Sequence, residues 1–317
     1  MQAFSTETNV KYDNIEQIAV IGTGVIGASW AAYFLARGLR VRAWDPAPGA
    51  RERLRDAVDA HWPTLVRIGL TPGATRESLT FHDTLDAALE GADFVQENGP
   101  EREDLKQDLF RKMDAALAPS VVIASSSSGL LMSRVQSVCT HPARVVLGHP
   151  FNPPHLIPLV EVIGGEQTSQ AAIDTAMQFY RAIGKRAIHV RKEVKGHIAN
   201  RLQAALWREA IHLVDAGVAS VEDIDDAIAY GPGLRWAALG PFLNLHLSGG
   251  AGGIAHLLDH LGAPIESWWA DLGEPALTDE LKARITAGVE AELAGRGNAR
   301  LEAQRDAVIL GILASKS

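Results

Sequence analysis

The chain has 317 residues and a mass of 34.0 kDa, long for one compact domain and suited to two. It is 47% hydrophobic and 21% charged with a mean hydropathy of +0.01, which excludes collagen-like, disordered and multi-span membrane classes. A net charge of −8 argues against nucleic-acid and anionic-membrane partners, and a lone Cys139 excludes intrachain disulfides and multi-cysteine zinc sites, pointing to a reducing cytoplasm.

Residues 1–14 are polar, carry Glu7 and Asp13, and have no apolar core, so they do not read as a secretory signal. The uncharged stretch from Ile18 to Ala36 has the length of a membrane span. Its glycines at 22, 24 and 27 favour strand, turn and helix in succession. Gln17 to Ile21 is predicted as the strand, and a helix is expected over Gly24–Arg37 with Gly38 as its left-handed cap. Arg40 to Trp44 reads as a second strand ending at Asp45. A helix is expected over Ala50–Ile68, then strands near Ser78–His82 and Phe94–Gln96, and an amphipathic helix over Leu105–Leu117. Further strands are expected at Val121–Ala124, Val145–Gly148, Leu159–Ile163 and Ala187–Val190. Such alternation predicts a mostly parallel sheet covered on both faces.

Beyond residue 190 the pattern becomes helical. Leu202, Ala205, Leu206, Ala210 and Leu213 recur with a helical period, Ser220 and Asp223 form a capping box, and Gly231 stops the helix that follows. The turn SGGAGG (248–253) separates later helices, and Thr278 caps another. The predicted class is therefore α/β: a doubly wound Rossmann-type domain over 1–190, then an all-helical domain over 191–317.

Gly22-Thr23-Gly24-Val25-Ile26-Gly27 has the dinucleotide-binding spacing. Gly22 permits the tight turn, Gly24 lets a pyrophosphate approach, Gly27 allows close helix–strand packing, and the helix N-terminus supplies free amides. Asp45, eighteen residues after Gly27, suits both ribose hydroxyls of an adenosine and repels a 2′-phosphate. With no Arg or Lys in Pro46-Ala47-Pro48-Gly49, NAD is expected over NADP.

His149 follows a strand, and Glu161 comes twelve residues later. A carboxylate on the returning strand would hold one ring nitrogen and leave the other to take a proton. By spacing alone, a histidine packed in a proline-rich loop beside a surface glutamate fits equally well.

GTGVIG, Asp45, Glu101 and Lys106 in PEREDLK, SSSSG (125–129), HPFNP, LVEVIGG and GHIANRL together resemble the L-3-hydroxyacyl-CoA dehydrogenase superfamily, in order and spacing, over nearly the whole chain. WDPAPGA, HVRKEVKG, ALWREAIHLV, EDIDDAI and GPGLRW are most similar to its carnitine dehydrogenase branch, which neighbours lambda-crystallin and L-gulonate 3-dehydrogenase. The resemblance implies a catalytic pair at His149 and Glu161, a catalytic serine at Ser128, and a substrate-binding asparagine at Asn200. It implies that Glu101 and Lys106 lie near the nicotinamide half of the cofactor and that the helical domain forms a homodimer. There are two departures from the family pattern: Ser126 and Ser127 replace an Asn-Thr pair, and His197 stands where phenylalanine is usual.

The implied reaction is NAD-dependent oxidation of a 3-hydroxyl, with carnitine, gulonate and a CoA thioester as the candidate substrates and a crystallin-like structural role as the contrasting reading. Carnitine's quaternary ammonium suits aromatic faces. Phe151, Trp236 and Phe242, with Trp268 and Trp269, are candidates for such walls, although core or interface packing accounts for each as well. Arg201 and Arg235 are candidates for the carboxylate. His256 and His260 lie one helical turn apart without an evident third ligand, so no metal is expected.

Overall fold

The computed structural model describes residues 15–316, so the polar segment 1–14 lies outside the described residues. The chain divides into two compact units, 1–201 and 202–317.

The first unit is built on an eight-stranded sheet: β1 (Gln17–Ile21), β2 (Arg40–Trp44), β3 (Leu79–Phe81), β4 (Phe94–Glu97), β5 (Val122–Ser125), β6 (Val145–Pro150), β7 (Leu159–Gly164) and β8 (Arg186–Val190). The spatial order is β3-β2-β1-β4-β5-β6-β7-β8, and every pairing is parallel except β6–β7. That exception has a simple cause. Residues 151–158 connect the two strands without a helix, and a parallel crossover needs about a dozen residues or more.

Side chains alternate across the strands, so each strand feeds two cores. In β1, Ile18 and Val20 enter one layer while Ala19 and Ile21 enter the other. The first layer gathers α1 (Val25–Ala36), α2 (Ala50–Ile68) and a helix over Gln170–Ala182. Trp30 stacks on Phe34 at 5.0 Å there, and Phe94 meets Phe179 at 4.4 Å. The opposite layer gathers α3 (Leu85–Leu89), α4 (Glu103–Ala116) and α5 (Met132–Val135), with Phe110 and Met113 wholly buried. The uncharged stretch from Ile18 to Ala36 is strand, turn and helix as expected, and no described helix is long and apolar enough to cross a membrane. The Gln170–Ala182 helix (α6) was not legible as a separate element; Ser169 caps it by accepting from the Ala172 amide at 3.2 Å.

α7 (Ala199–Asp215) starts in the first unit and continues into the second. The second unit adds α8 (Val221–Ala229), α9 (Pro232–Ala238), α10 (Pro241–Ser248), α11 (Gly253–Asp271), α12 (Asp279–Leu293) and α13 (Asn298–Ser315). The Ser220–Asp223 capping box forms at 3.1 and 3.2 Å, and Thr278 caps α12. α8 stops at Ala229, two residues before Gly231, which instead precedes the Pro232 that opens α9. Trp207, Trp236, Phe242, Trp268 and Trp269 are all exposed on this unit, whereas Trp30 is wholly buried in the first.

Candidate active site

The candidate site residues gather at the carboxyl ends of the parallel strands and on the neighbouring β7. The turn after β1 is held by the Gly22 amide, which donates to the Trp44 carbonyl at 2.8 Å. Gly22 has φ +86°, and a Cβ there would lie 2.8 Å from the Asn98 carbonyl carbon. A Cβ on Gly27 would lie 1.9 Å from the Gly22 oxygen, so helix and strand approach as closely as the fingerprint requires. Nothing lies within 4 Å of a Cβ on Gly24, and this is the open side of the turn.

α1 begins at Val25 with no capping side chain and no acidic residue in its first turn, and Val25 is exposed while Ile26 packs on the core. Its first amides are therefore available to an anion. Asp45 Oδ2 accepts from the Thr23 amide at 2.7 Å and Oδ1 from the Ala47 amide at 2.9 Å. This carboxylate both braces the glycine turn and borders a hollow of about 300 Å³ with Pro46, Ala47, Arg51 and Phe81. Arg51 is a basic group beyond the 46–49 segment, placed there by the first turn of α2. Its guanidinium is engaged by Asp83 at 2.7 Å and lies 5.2 Å over the Phe81 ring. These residues fit NAD: free helix amides for the pyrophosphate, an acid for the ribose, and no uncommitted cation for a 2′-phosphate.

Glu101 and Lys106 brace the loops at the next two strand ends. Glu101 Oε1 accepts from the Ser127 hydroxyl at 2.6 Å, the Gly129 amide at 2.7 Å and the Leu130 amide at 3.2 Å. It thus pins the serine loop on both sides of Ser128. Lys106 is buried, with Nζ 2.8 and 2.9 Å from the two oxygens of buried Glu97 and 3.1 Å from the Gly99 carbonyl. Glu97 also takes the Ser125 hydroxyl at 2.6 Å and the Gly99 amide at 2.6 Å. Glu97 was not a sequence candidate; its only signal was an acid ending an apolar strand.

Ser128, His149 and Glu161 come together. His149 and Glu161 are register partners across β6–β7. His149 Nδ1 lies 3.0 Å from Glu161 Oε2, and Nε2 lies 3.2 Å from the Ser128 hydroxyl. The second oxygen of Glu161 accepts from the Ile198 and Ala199 amides at 3.0 and 2.9 Å, at the start of α7. Burial pushes the Glu161 carboxyl up, but the His149 bond and these two amides outweigh it and hold the group below the ordinary carboxylate range. An ionised carboxylate on Nδ1 fixes that nitrogen as the donor and leaves Nε2 as the acceptor facing Ser128.

Phe151 meets His149 edge-on at 4.9 Å. Asn200 is half-buried in the first turn of α7, next to the amide that holds Glu161. Arg201 is exposed and donates to the Lys195 carbonyl at 3.3 Å. Trp236 and Phe242 belong to the second unit, exposed on α9 and α10. His256 and His260 stack at 6.0 Å, and among the described residues no group of three or more His, Cys, Asp or Glu is placed to hold a metal ion. Cys139 is half-buried, and burial pushes its thiol up to about 11.

The NAD-binding domain profile of 3-hydroxyacyl-CoA dehydrogenases matches residues 17–194, and their C-terminal domain profile matches 196–280. The L-carnitine dehydrogenase of Streptomyces coelicolor is 53% identical over 95% of both chains, and that of Pseudomonas aeruginosa is 48% identical over 94% of this chain and 93% of its own. Among solved structures, the NAD-dependent 5-formyl-3-hydroxy-2-methylpyridine 4-carboxylic acid 5-dehydrogenase superposes with a TM-score of 0.82 at 32% identity, covering 94% of this chain and 97% of that one.

Proposed function

The chain belongs to the 3-hydroxyacyl-CoA dehydrogenase family, and from that premise we propose that it oxidises the 3-hydroxyl of L-carnitine to 3-dehydrocarnitine with NAD. The observation that carries the chemistry is the aligned set Glu161–His149–Ser128, with bonds of 3.0 and 3.2 Å to the two ring nitrogens.

NAD, when bound, supplies the acceptor for the hydride leaving carbon 3. The protein's own residues handle the proton. His149 Nε2 takes it from the hydroxyl, and Glu161 on Nδ1 stabilises the imidazolium and keeps the ring oriented. The Ser128 hydroxyl, already at Nε2, holds the substrate oxygen as alcohol becomes carbonyl, and Asn200 is assigned a second hydrogen bond to it. Glu101 keeps Ser128 in place by gripping its neighbours Ser127 and Gly129. Burial of His149 and Glu161 strengthens each of these interactions by excluding water.

Carnitine is favoured over the thioester and the sugar acid by the relatives of that activity, at 53% and 48% identity. Phe151 is assigned to its cation and Arg201 to its carboxylate, in keeping with residue type. The exposed apolar residues of the second unit, Trp207, Leu243, Leu247 and Trp268 among them, suit a homodimer interface. A cytoplasmic location is part of this reading, supported by the single cysteine.

The test is NAD reduction followed with L-carnitine, L-3-hydroxybutyrate, 3-hydroxybutyryl-CoA and L-gulonate side by side. Carnitine is expected to give the highest kcat/KM. Turnover of the thioester with none on carnitine overturns the assignment.

A further inference from the structure

Between β8 and α7 the chain makes a turn that the reaction chemistry leaves unexplained. Gly196 has φ +78° and His197 has φ +52°, two successive left-handed residues. For glycine this conformation is easy, whereas among side-chain-bearing residues it is uncommon, tolerated best by Asn, Asp and His and worst by β-branched residues. The next two amides, those of Ile198 and Ala199, are the pair that converge on Glu161 Oε1 at 3.0 and 2.9 Å. Successive backbone N–H groups presented by such a turn form an anion-binding concavity, and here the anion is the carboxylate behind His149.

The His197 side chain turns inward. It is buried, its ring centroid lies 5.2 Å from that of His149 at an interplanar angle of 57°, and neither ring nitrogen makes a hydrogen bond. Two orphaned buried polar atoms and a left-handed backbone both cost stability, and such costs persist where the surroundings require that geometry. Burial first, and then the neighbouring His149, lower the proton affinity of the ring and outweigh the opposing pull of the Glu161 and Glu101 charges. The ring stays neutral, so it fills space against His149 without competing for the charge.

We propose that His197 is the positioning residue of the His149–Glu161 pair: its left-handed backbone delivers two amides to Glu161, and its buried ring backs His149. The inference rests on the reading of His149 as the proton acceptor. It also predicts what happens when the turn relaxes. With the amides withdrawn, the upward push of burial on Glu161 is less opposed, so the carboxyl binds a proton at higher pH and the pair fails earlier on acidification.

Two variants separate backbone from volume. His197→Asn accepts the left-handed conformation, whereas His197→Val resists it. The pH profile of carnitine oxidation is measured for both, together with a ¹³C NMR titration of the Glu161 carboxyl in the cofactor-free protein, which needs no substrate. His197→Val is expected to lose turnover at least about tenfold, with the Glu161 titration and the acid limb moved up by about half a pH unit or more. His197→Asn is expected to keep the parental Glu161 titration and acid limb. A parental Glu161 titration in folded His197→Val overturns the proposal. So does an upward move of about half a pH unit or more in His197→Asn, and this arm still decides the matter if the valine variant fails to fold. An altered Glu161 titration without carnitine turnover in the parent overturns the substrate assignment alone.

Discussion

His149 and Glu161 are register partners on antiparallel neighbours, with Nδ1 and Oε2 3.0 Å apart. Their twelve-residue spacing in the chain has nothing to do with a helix or a local turn. It is the length of a short connection plus the matching positions of two strands, so the pair is as rigid as the sheet that holds it. Each partner's second contact points elsewhere, Nε2 to Ser128 and Oε1 to the start of α7.

Replacing His149 by alanine removes the proposed proton acceptor and leaves the glycine loop and Asp45 untouched. Turnover is expected to fall by about 10²–10⁴-fold, with NAD affinity changed little. Steady-state kinetics together with fluorescence titration of NAD check both halves; parental turnover in a folded variant would remove His149 from the mechanism.

On the proposed reading, Asp45 governs the choice between cofactors. In Asp45→Ser the repulsion of a 2′-phosphate is gone, and the ratio of NADP to NAD use is expected to rise at least about tenfold, chiefly through a higher KM for NAD. Because Oδ2 also holds the Thr23 amide, some loss of NAD affinity comes from the loop itself. An unchanged cofactor ratio would contradict this role.

Lys106 and Glu97 form a buried pair, and removing one charge strands the other. Lys106→Met is expected to lower unfolding free energy by about 3–5 kcal/mol, measured by urea denaturation. The double variant with Glu97→Gln is expected to recover part of that loss. Equal destabilisation of the single and double variants would mean that the pair itself is not the origin.

Asp114 supplies a pH dependence of stability. Burial pushes its carboxyl up, but Arg144 at 2.7 Å and the amides of His141 and Thr140 outweigh burial and hold it below its ordinary value. The unfolded chain therefore binds the proton first on acidification. The contribution of Asp114 is complete above its unfolded value, near about pH 4, and disappears as pH falls through the lower folded value. Asp114→Asn is expected to flatten the fall in unfolding free energy across that window. A parental slope in the variant would refute the assignment.

Much of this protein was legible in its sequence because the relevant physics is local. Strand and helix alternation set the sheet, the spacing of Gly22, Gly24 and Gly27 marked a tight turn with close helix–strand packing, and Ser220 and Thr278 marked helix starts by the bonds that they make within three residues. His149, Glu161 and Ser128 were nameable because their types and order match a known pattern.

What remained hidden depends on residues far apart in the chain. Glu97 becomes the partner of Lys106, Arg51 is occupied by Asp83, and Glu101 grips the serine loop only once parallel strands bring their carboxyl ends side by side. The left-handed turn at His197 is likewise invisible in composition or periodicity, since it is selected by where Glu161 sits across the sheet. The sequence by itself determined the class of fold and the cofactor and named the candidate reacting groups, because propensity, patterning and short spacing act within a few residues. Only the tertiary structure decided which charges are paired, which loops are pinned and which backbone is strained. Those outcomes depend on burial and distance between segments that local sequence does not encode.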